Sequence, residues 1–380
     1  MILRRDCKHF PGDRPCLPHK QTGVHCDKCD LYDPVKDRIL IIKLDAVGDV
    51  LRTTCILPGL KEKFPSAEVT WVTLSPSKEI FHANPYVHRV LLYDEPATIA
   101  ALSIEKFTLL INLDASVKSS ALASYCHANE KLGYGLDEHG KVDCFNPEAE
   151  IWFEMGAFDD IKKRNKRTYQ ELMLDICRLR PKNFEIVLNL TDEELRRAEL
   201  FSKQCGLLPS VTVVGINAGA SPRWERKRWT PEGYREVIKR LTTRDECVVI
   251  LFGGKSEREL NLSLSAGFSS DVIIAQTDSG LREFFALLSV CDVVVTGDTL
   301  ALHAAAALRK KVVAIFGPTS AAEIEPYGRV EKIVSTKMEC QCYYKPVCTQ
   351  EVNCMNTISA DQVYNAVRGK IKSITHSPAT

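Results

Sequence analysis

Asp298, Thr299 and His303 fall within about one helical turn of each other in the stretch 292–318, DVVVTGDTLALHAAAALRKKVVAIFGP. Asp and Thr accept hydrogen bonds from the first free N–H groups of a helix, and such an N-terminus attracts anions, phosphate above all. His303, four residues after Thr299, shares roughly the same helical face. These residues also suit any well-capped helix, so the stretch is read both ways. Asp49 is the next chemical residue. In 38–54, RILIIKLDAVGDVLRTT, it follows the turn Ala46-Val47-Gly48 and opens a helix. It reads equally as a functional carboxylate at the C-terminal edge of a sheet and as a carboxylate merely favoured by the helix dipole. Further on, the small residues Asn217-Ala218-Gly219-Ala220-Ser221 precede Arg223, Arg226, Lys227 and Arg228. A small-residue loop with four cations beside it suits a diphosphate; the alternative is a solvated charge run.

The fifteen cysteines have a pattern of their own. Cys55, Cys126, Cys144, Cys177, Cys205, Cys247 and Cys291 are scattered singly, several in apolar surroundings that suit small buried hydrophobes. The other eight form two quartets, Cys7, Cys16, Cys26 and Cys29 near the start and Cys340, Cys342, Cys348 and Cys354 near the end. Only Cys26-Asp-Lys-Cys29 has the CxxC spacing that lets one turn grip an ion. Residues 1–37 are rich in Pro, Gly, Asp and Lys and poor in aliphatic side chains, so a metal would supply the stability that apolar burial does not. Tetrahedral zinc and a [4Fe-4S] cluster both fit the count. Incidental or redox-linked cysteines are the alternative. The second quartet holds a further metal, or joins the first if the two ends meet.

The elements that must position these residues are those of an α/β chain. Buried strands are expected at 38–44, 68–73, 87–92, 108–112, 211–216, 248–252, 292–296 and 312–316, with helices between them. The alternation implies parallel, doubly wound sheets. Helices are expected from Asp49 to about 64, and over 169–179, 192–204, 281–289, 300–308 and 360–371, while 140–166 reads as irregular. The polar strand end Asn112-Leu113-Asp114, with Ser116, Lys118 and Ser119, either touches substrate or forms a solvated loop. At 380 residues the chain has room for two domains. Fifty basic residues against 49 acidic ones point away from nucleic acid as the main partner. No apolar run reaches the roughly 18–20 residues that span a bilayer, and the start lacks a secretory h-region. The expectation is a cytoplasmic protein, with peripheral membrane contact left open.

Three motifs in order, ILIIKLDAVGDVLRTTCILPGLK, GINAGASPRWERKRWTPEGYREV and GDTLALHAAAALRKKVVAIFGPTSAAEIEPYG, resemble family 9 of the glycosyltransferases, the lipopolysaccharide heptosyltransferases. The likeness spans roughly residues 38–375. It implies two Rossmann-like domains facing a cleft, the GT-B type: an acceptor domain over 38–190 and a donor domain over 205–338. A Cys-rich module at 1–37 lies outside the family pattern, and a tail at 339–380 carries a last helix back to the first domain. It further implies inverting transfer of a sugar, heptose by default, from an ADP-heptose-like nucleotide donor to a lipid-linked or cell-surface glycan. Asp49 matches the general base, Lys227 the lysine that holds the donor diphosphate, and Asp298, Thr299 and His303 the donor loop, with Gly219 in the small-residue turn opposite. No divalent cation is implied for transfer. Where the family has glycine after Asp-Thr, this chain has Leu300. A nucleotide-sugar epimerase, or a metal- or redox-sensing binding protein on the same scaffold, are the competing readings.

Overall fold

The computed structural model of the chain describes residues 2–220, 227–268, 270–275, 280–335, 348 and 350–374. The first sheet contains β1 (Arg38–Ile42), β2 (Glu68–Thr73), β3 (Arg89–Leu92), β4 (Lys106–Asn112), β5 (His127–Leu136) and β6 (Val142–Cys144), in the order β3-β2-β1-β4-β5-β6. The second contains β7 (Val213–Asn217), β8 (Val248–Phe252), β9 (Val272–Ile274), β10 (Val293–Gly297), β11 (Lys311–Phe316) and β12 (Val330–Val334), in the order β12-β11-β10-β7-β8-β9. All neighbours are parallel except β5 and β6. Parallel pairing requires crossovers, and the crossovers cover both faces. The central strands are therefore apolar nearly throughout; Ile39 to Ile42 and Val293 to Val295 are fully buried.

Each sheet reverses its winding direction once, between β1 and β4 in the first and between β7 and β10 in the second. Clefts outside the C-terminal ends of strands at such reversals are where α/β proteins bind ligands. Asp49 follows β1, Gly219 follows β7, and Asp298 follows β10. All three chemical stretches thus belong to switch points.

Most of the expected elements lie where the sequence places them, β5, β9 and β12 being strands beyond the eight expected, and three of the expectations are corrected. The helix expected from Asp49 onward is broken: Val47–Thr53 passes through a 3₁₀ turn, Thr54–Ile56, into Leu57–Lys63. Pro58 lacks the N–H that would continue an α-helical ladder. Residues 140–166 are not irregular; they hold β6 and the helices Glu150–Ala157 and Asp159–Arg164. The last helix, Ala360–Lys372, does not return to the first domain as the family resemblance implies. It seats Val363, Tyr364 and Val367 in the core of the second sheet. Tyr364 donates to Asp245 at 2.7 Å, and Trp229 Nε1 donates to the carbonyl of Ile358 at 3.0 Å.

The two sheets are tied together beside the cleft. Arg282, at the start of the helix Leu281–Leu288, donates to both carboxylate oxygens of Glu194 at 2.7 and 2.6 Å and to the carbonyl of Asn189 at 2.7 Å. Its own backbone N–H donates to Glu79 of the first domain. Burial opposes ionisation of Glu194, but Arg282 and the N–H of Thr191 take its pKa down to about 2.

Candidate active site

The first rim of the cleft is the helix Val47–Thr53. Asp49, in its first turn, accepts from Arg52 Nη2 at 2.8 Å and leaves 39% of its side chain exposed. Burial resists the charge on Asp49, but Arg52 and then Lys43 outweigh it and hold the carboxyl below the usual range. Arg52 is itself buried, its guanidinium 3.7 Å from the centre of the Tyr169 ring. Tyr169 and Thr53 share a hydroxyl–hydroxyl bond of 2.6 Å, so the platform under Arg52 is anchored to the same helix as Asp49. The carboxylate is thereby ionised, oriented and partly open to solvent.

The second rim is the turn from β10 into the helix Leu300–Ala307. Thr299 caps this helix by accepting from the N–H of Ala301 at 3.2 Å. Asn217, which pairs with Thr296 in the sheet, donates to Thr299 Oγ1 at 3.3 Å. Lys227 donates to Asp298 Oδ2 at 3.0 Å, both side chains being 15% exposed. Burial resists ionisation of Asp298 as well, and Lys227, the largest opposing influence, overcomes it. A Cβ on Gly219, in the turn after β7, would stand 2.4 Å from Glu257 Cγ, so a larger residue there would displace that side chain. His303 is 6% exposed; burial, reinforced by Arg52, lowers its pKa to about 4, so the ring is neutral at physiological pH.

The rims enclose a cleft of about 900 Å³ that Asp49, Gly219, Lys227, Asp298, Thr299 and His303 all line. Asn217, Gly219, Ala220 and Lys227 from the second motif are thus brought to the same place, but Ala218 and Arg228 do not line the cleft, Arg228 instead donating to the carbonyl of Ala220 and pairing with Glu257; Ser221, Arg223 and Arg226 lie outside the described residues. Asn112 and Asp114 are neither a solvated loop nor part of the cleft lining. Both are buried, Asn112 donating to the carbonyl of Tyr134 and Asp114 accepting from the N–H of Leu44.

Arg52 and Glu323 are among the cleft residues that the sequence reading does not single out. Arg52 was announced only by its place three residues after Asp49, a spacing that pairs opposite charges on a helix. Glu323 has no local signal. It is 2% exposed, lines the cleft, and stands 3.7 Å from Lys162 of the first domain. Burial holds its pKa above the ordinary value, against the pull of Lys162 and Arg52.

Cys7, Cys16, Cys26 and Cys29 line a separate cavity near the N-terminus, with no residue in common with the cleft. Among the described residues no three His, Cys, Asp or Glu side chains are assembled to hold one metal ion, so the tight single-ion set expected for zinc is not formed. Cys340 and Cys342 lie outside the described residues. Cys348 and Cys354 are partly buried and do not line the N-terminal cavity. Of the seven single cysteines, Cys55, Cys126, Cys177, Cys247 and Cys291 are buried, as expected of small hydrophobes.

Two parallel sheets facing across a cleft, a carboxylate on one rim and a capped helix N-terminus with a lysine on the other, define a group-transfer enzyme of GT-B architecture. The chain belongs to glycosyltransferase family 9 (heptosyltransferase), whose profile matches residues 97–352. It is a glycosyltransferase. It is 22% identical over 337 residues to lipopolysaccharide heptosyltransferase 1 of Pseudomonas aeruginosa, covering 83% of this chain and 88% of that one. Among solved structures it is similar to a family 9 glycosyl transferase from Veillonella parvula, with TM-score 0.71, 18% identity and coverage of 90% and 99%. It is also similar to the ADP-heptose lps heptosyltransferase II of E. coli, with TM-score 0.62, 19% identity and coverage of 88% and 98%.

Proposed function

We propose that this chain is an inverting heptosyltransferase that takes the sugar from an ADP-heptose-like donor and places it on a lipid-linked glycan of the lipopolysaccharide core. The names of its relatives supply the sugar, nucleotide and acceptor class. The observation that carries the reading is the placement of Asp49 across the cleft from the Lys227–Asp298–Thr299 corner. Residues 38–190 take the acceptor and 205–338 the donor. Lys227 and the N-terminus of the helix Leu300–Ala307 hold the diphosphate, Thr299 fixing that helix end. The acceptor oxygen attacks the anomeric carbon as the bond to the diphosphate breaks, and the leaving oxygen keeps the electron pair. The hydroxyl proton passes to Asp49. A carboxylate held below its usual pKa still serves, because the attacking oxygen becomes strongly acidic as its new bond forms. Attack from the side opposite the leaving group inverts the anomeric centre.

Family membership favours transfer over the epimerase and sensing-module readings. Among the described residues no helix is long and apolar enough to cross a membrane. We place the enzyme at the cytoplasmic face of the membrane, in peripheral contact with its lipid-linked acceptor. The test incubates purified enzyme with ADP-heptose, and separately with GDP-, UDP- and CDP-sugars, on a heptose-deficient lipopolysaccharide core. Product formation with ADP-heptose, lost in Asp49→Ala while donor binding persists, supports the reading. Transfer from another nucleotide sugar overturns the donor assignment, and an absence of donor binding overturns the whole.

A further inference from the structure

Residues 2–37 keep a defined shape that their apolar content does not explain. Among them Pro18 alone is buried, and none joins the hydrophobic core. Regular structure is limited to the helix Leu17–Thr22, a 3₁₀ turn at Cys26–Lys28 and an isolated bridge between Cys7 and Pro34. Ordering a residue costs roughly 1–2 kcal/mol of backbone entropy, so a segment of this length without a core needs another source of stability.

Its ends are nevertheless clipped together. The N–H of Lys8 donates to the carbonyl of Asp33 at 2.9 Å, that of Val35 to Asp6 at 2.8 Å, and Lys8 Nζ pairs with the Asp33 carboxylate at 2.7 Å. This closure directs Cys7, Cys16, Cys26 and Cys29 to the wall of one cavity of about 530 Å³. All four are partly buried, and none is bonded to another.

The two candidate occupants ask for different ligand arrangements. Zinc draws four ligands to about 2.3 Å from one centre, and among the described residues no such group of three or more is assembled. A [4Fe-4S] cluster is also held by four cysteines, but each thiolate binds a different iron, so the sulfurs stand around a void instead of around a point. Four cysteines on the wall of one cavity supply the cluster's ligand count, and no three of them are drawn to one centre as zinc would need. Cationic side chains suit it too, since four thiolates on the cluster core leave a net negative charge. Arg4 and Arg14 line the cavity, and Arg4 Nε is a buried donor without a hydrogen-bond partner, able to donate to a cluster sulfur.

We infer that the N-terminal segment binds one [4Fe-4S] cluster through Cys7, Cys16, Cys26 and Cys29, as a staple that folds residues 2–37. Loading is a ligand exchange without change of oxidation state. Each cysteine sulfur forms a bond to one iron, each exogenous thiolate leaves that iron, and the cysteine proton goes to the departing thiolate. The inference stands apart from the sugar-transfer reading, because the two cavities share no residue.

The test is anaerobic purification of the full chain, with iron, acid-labile sulfide and zinc measured per chain. A second sample is incubated with a synthetic thiolate-ligated [4Fe-4S] cluster. The expected result is four irons and four sulfides per chain, a signal lost in Cys26→Ser/Cys29→Ser and kept in Cys348→Ser/Cys354→Ser. Limited proteolysis should cut the apo chain within residues 2–37 and spare the loaded one. One zinc without sulfide, iron retained in the N-terminal variant, or equal proteolysis of both forms would each overturn the inference. The metal analysis is made on the wild-type chain, so it stands even if the variant folds poorly.

Discussion

Gly48 of the first domain lies directly against His303 of the second. A Cβ at position 48 would stand 3.3 Å from His303 Cδ2 and 3.5 Å from Leu300 Cα. The rims of the cleft therefore meet at a residue without a side chain, one position before Asp49. A methyl at 48 makes the His303 ring give by a few tenths of an ångström, and a branched side chain presses on the Leu300 backbone as well. Gly48→Ala should lower kcat several-fold with little change in melting temperature. Gly48→Val should lower kcat by about a hundredfold or more, the loss expected when reacting groups are misplaced by an ångström. Steady-state kinetics beside thermal unfolding decide it, and a fully active Gly48→Val enzyme would remove the contact from the mechanism.

Asp49 is paired with Arg52, and the two have separable roles. Asp49→Asn keeps the shape but cannot take the acceptor proton, so kcat should fall by about 10²–10⁴-fold while calorimetric donor affinity stays nearly constant. Arg52→Gln removes the nearest cation acting on Asp49. The carboxyl pKa then rises, and the acid limb of kcat/KM moves to higher pH. An unmoved acid limb would mean that another group carries the proton.

How much of this was readable in advance follows from the range of each interaction. β1 and β10 are legible because fully buried strands are continuous apolar runs, and Asp49 and Asp298 because turn and cap residues follow those runs directly. The bed beneath Arg52 is not legible, since Tyr169 reaches it from a helix far along the chain. Nor is Glu323, whose burial is completed by Lys162 of the other domain. The helices within 140–166 were missed because Gly, Pro and Asp interrupt the periodic pattern. The last helix was misplaced because its destination rests on Val363, Tyr364 and Val367 meeting the Trp229–Tyr234 corner, a tertiary contact that overrides the family expectation.

Lys227 serves Asp298 now and a diphosphate in the reaction, which makes two effects of its removal distinguishable. Lys227→Met leaves Asp298 without its nearest cation, so the melting temperature should fall. Donor affinity should drop about ten- to a hundredfold, the worth of a charge-assisted hydrogen bond. Adding Asp298→Asn removes the orphaned charge and should restore the melting temperature without restoring donor affinity. If the double variant recovers both, the lysine supports the fold and does not hold the diphosphate.

His303 ties stability to pH. Its folded pKa is lowered to about 4, by burial first and Arg52 second, against an ordinary value of 6.5. Between those values the unfolded chain binds a proton that the folded chain refuses. Stability from this residue is thus complete above about pH 6.5 and is lost as pH falls toward 4, by an amount on the order of 3 kcal/mol. Asp298 and Asp49 pull the His303 pKa upward without overcoming burial and Arg52, and their own pKa values lie below the carboxylate norm, so their losses begin at lower pH. Urea unfolding measured from pH 7.5 to 4.5 should show the wild type losing stability across this window. His303→Gln, which has no proton to gain, should lose markedly less over the same range even if it starts from a lower value. Parallel curves for the two proteins would mean that His303 is protonated at its ordinary pKa in the folded state, and that the neutral ring assigned to the cleft is wrong.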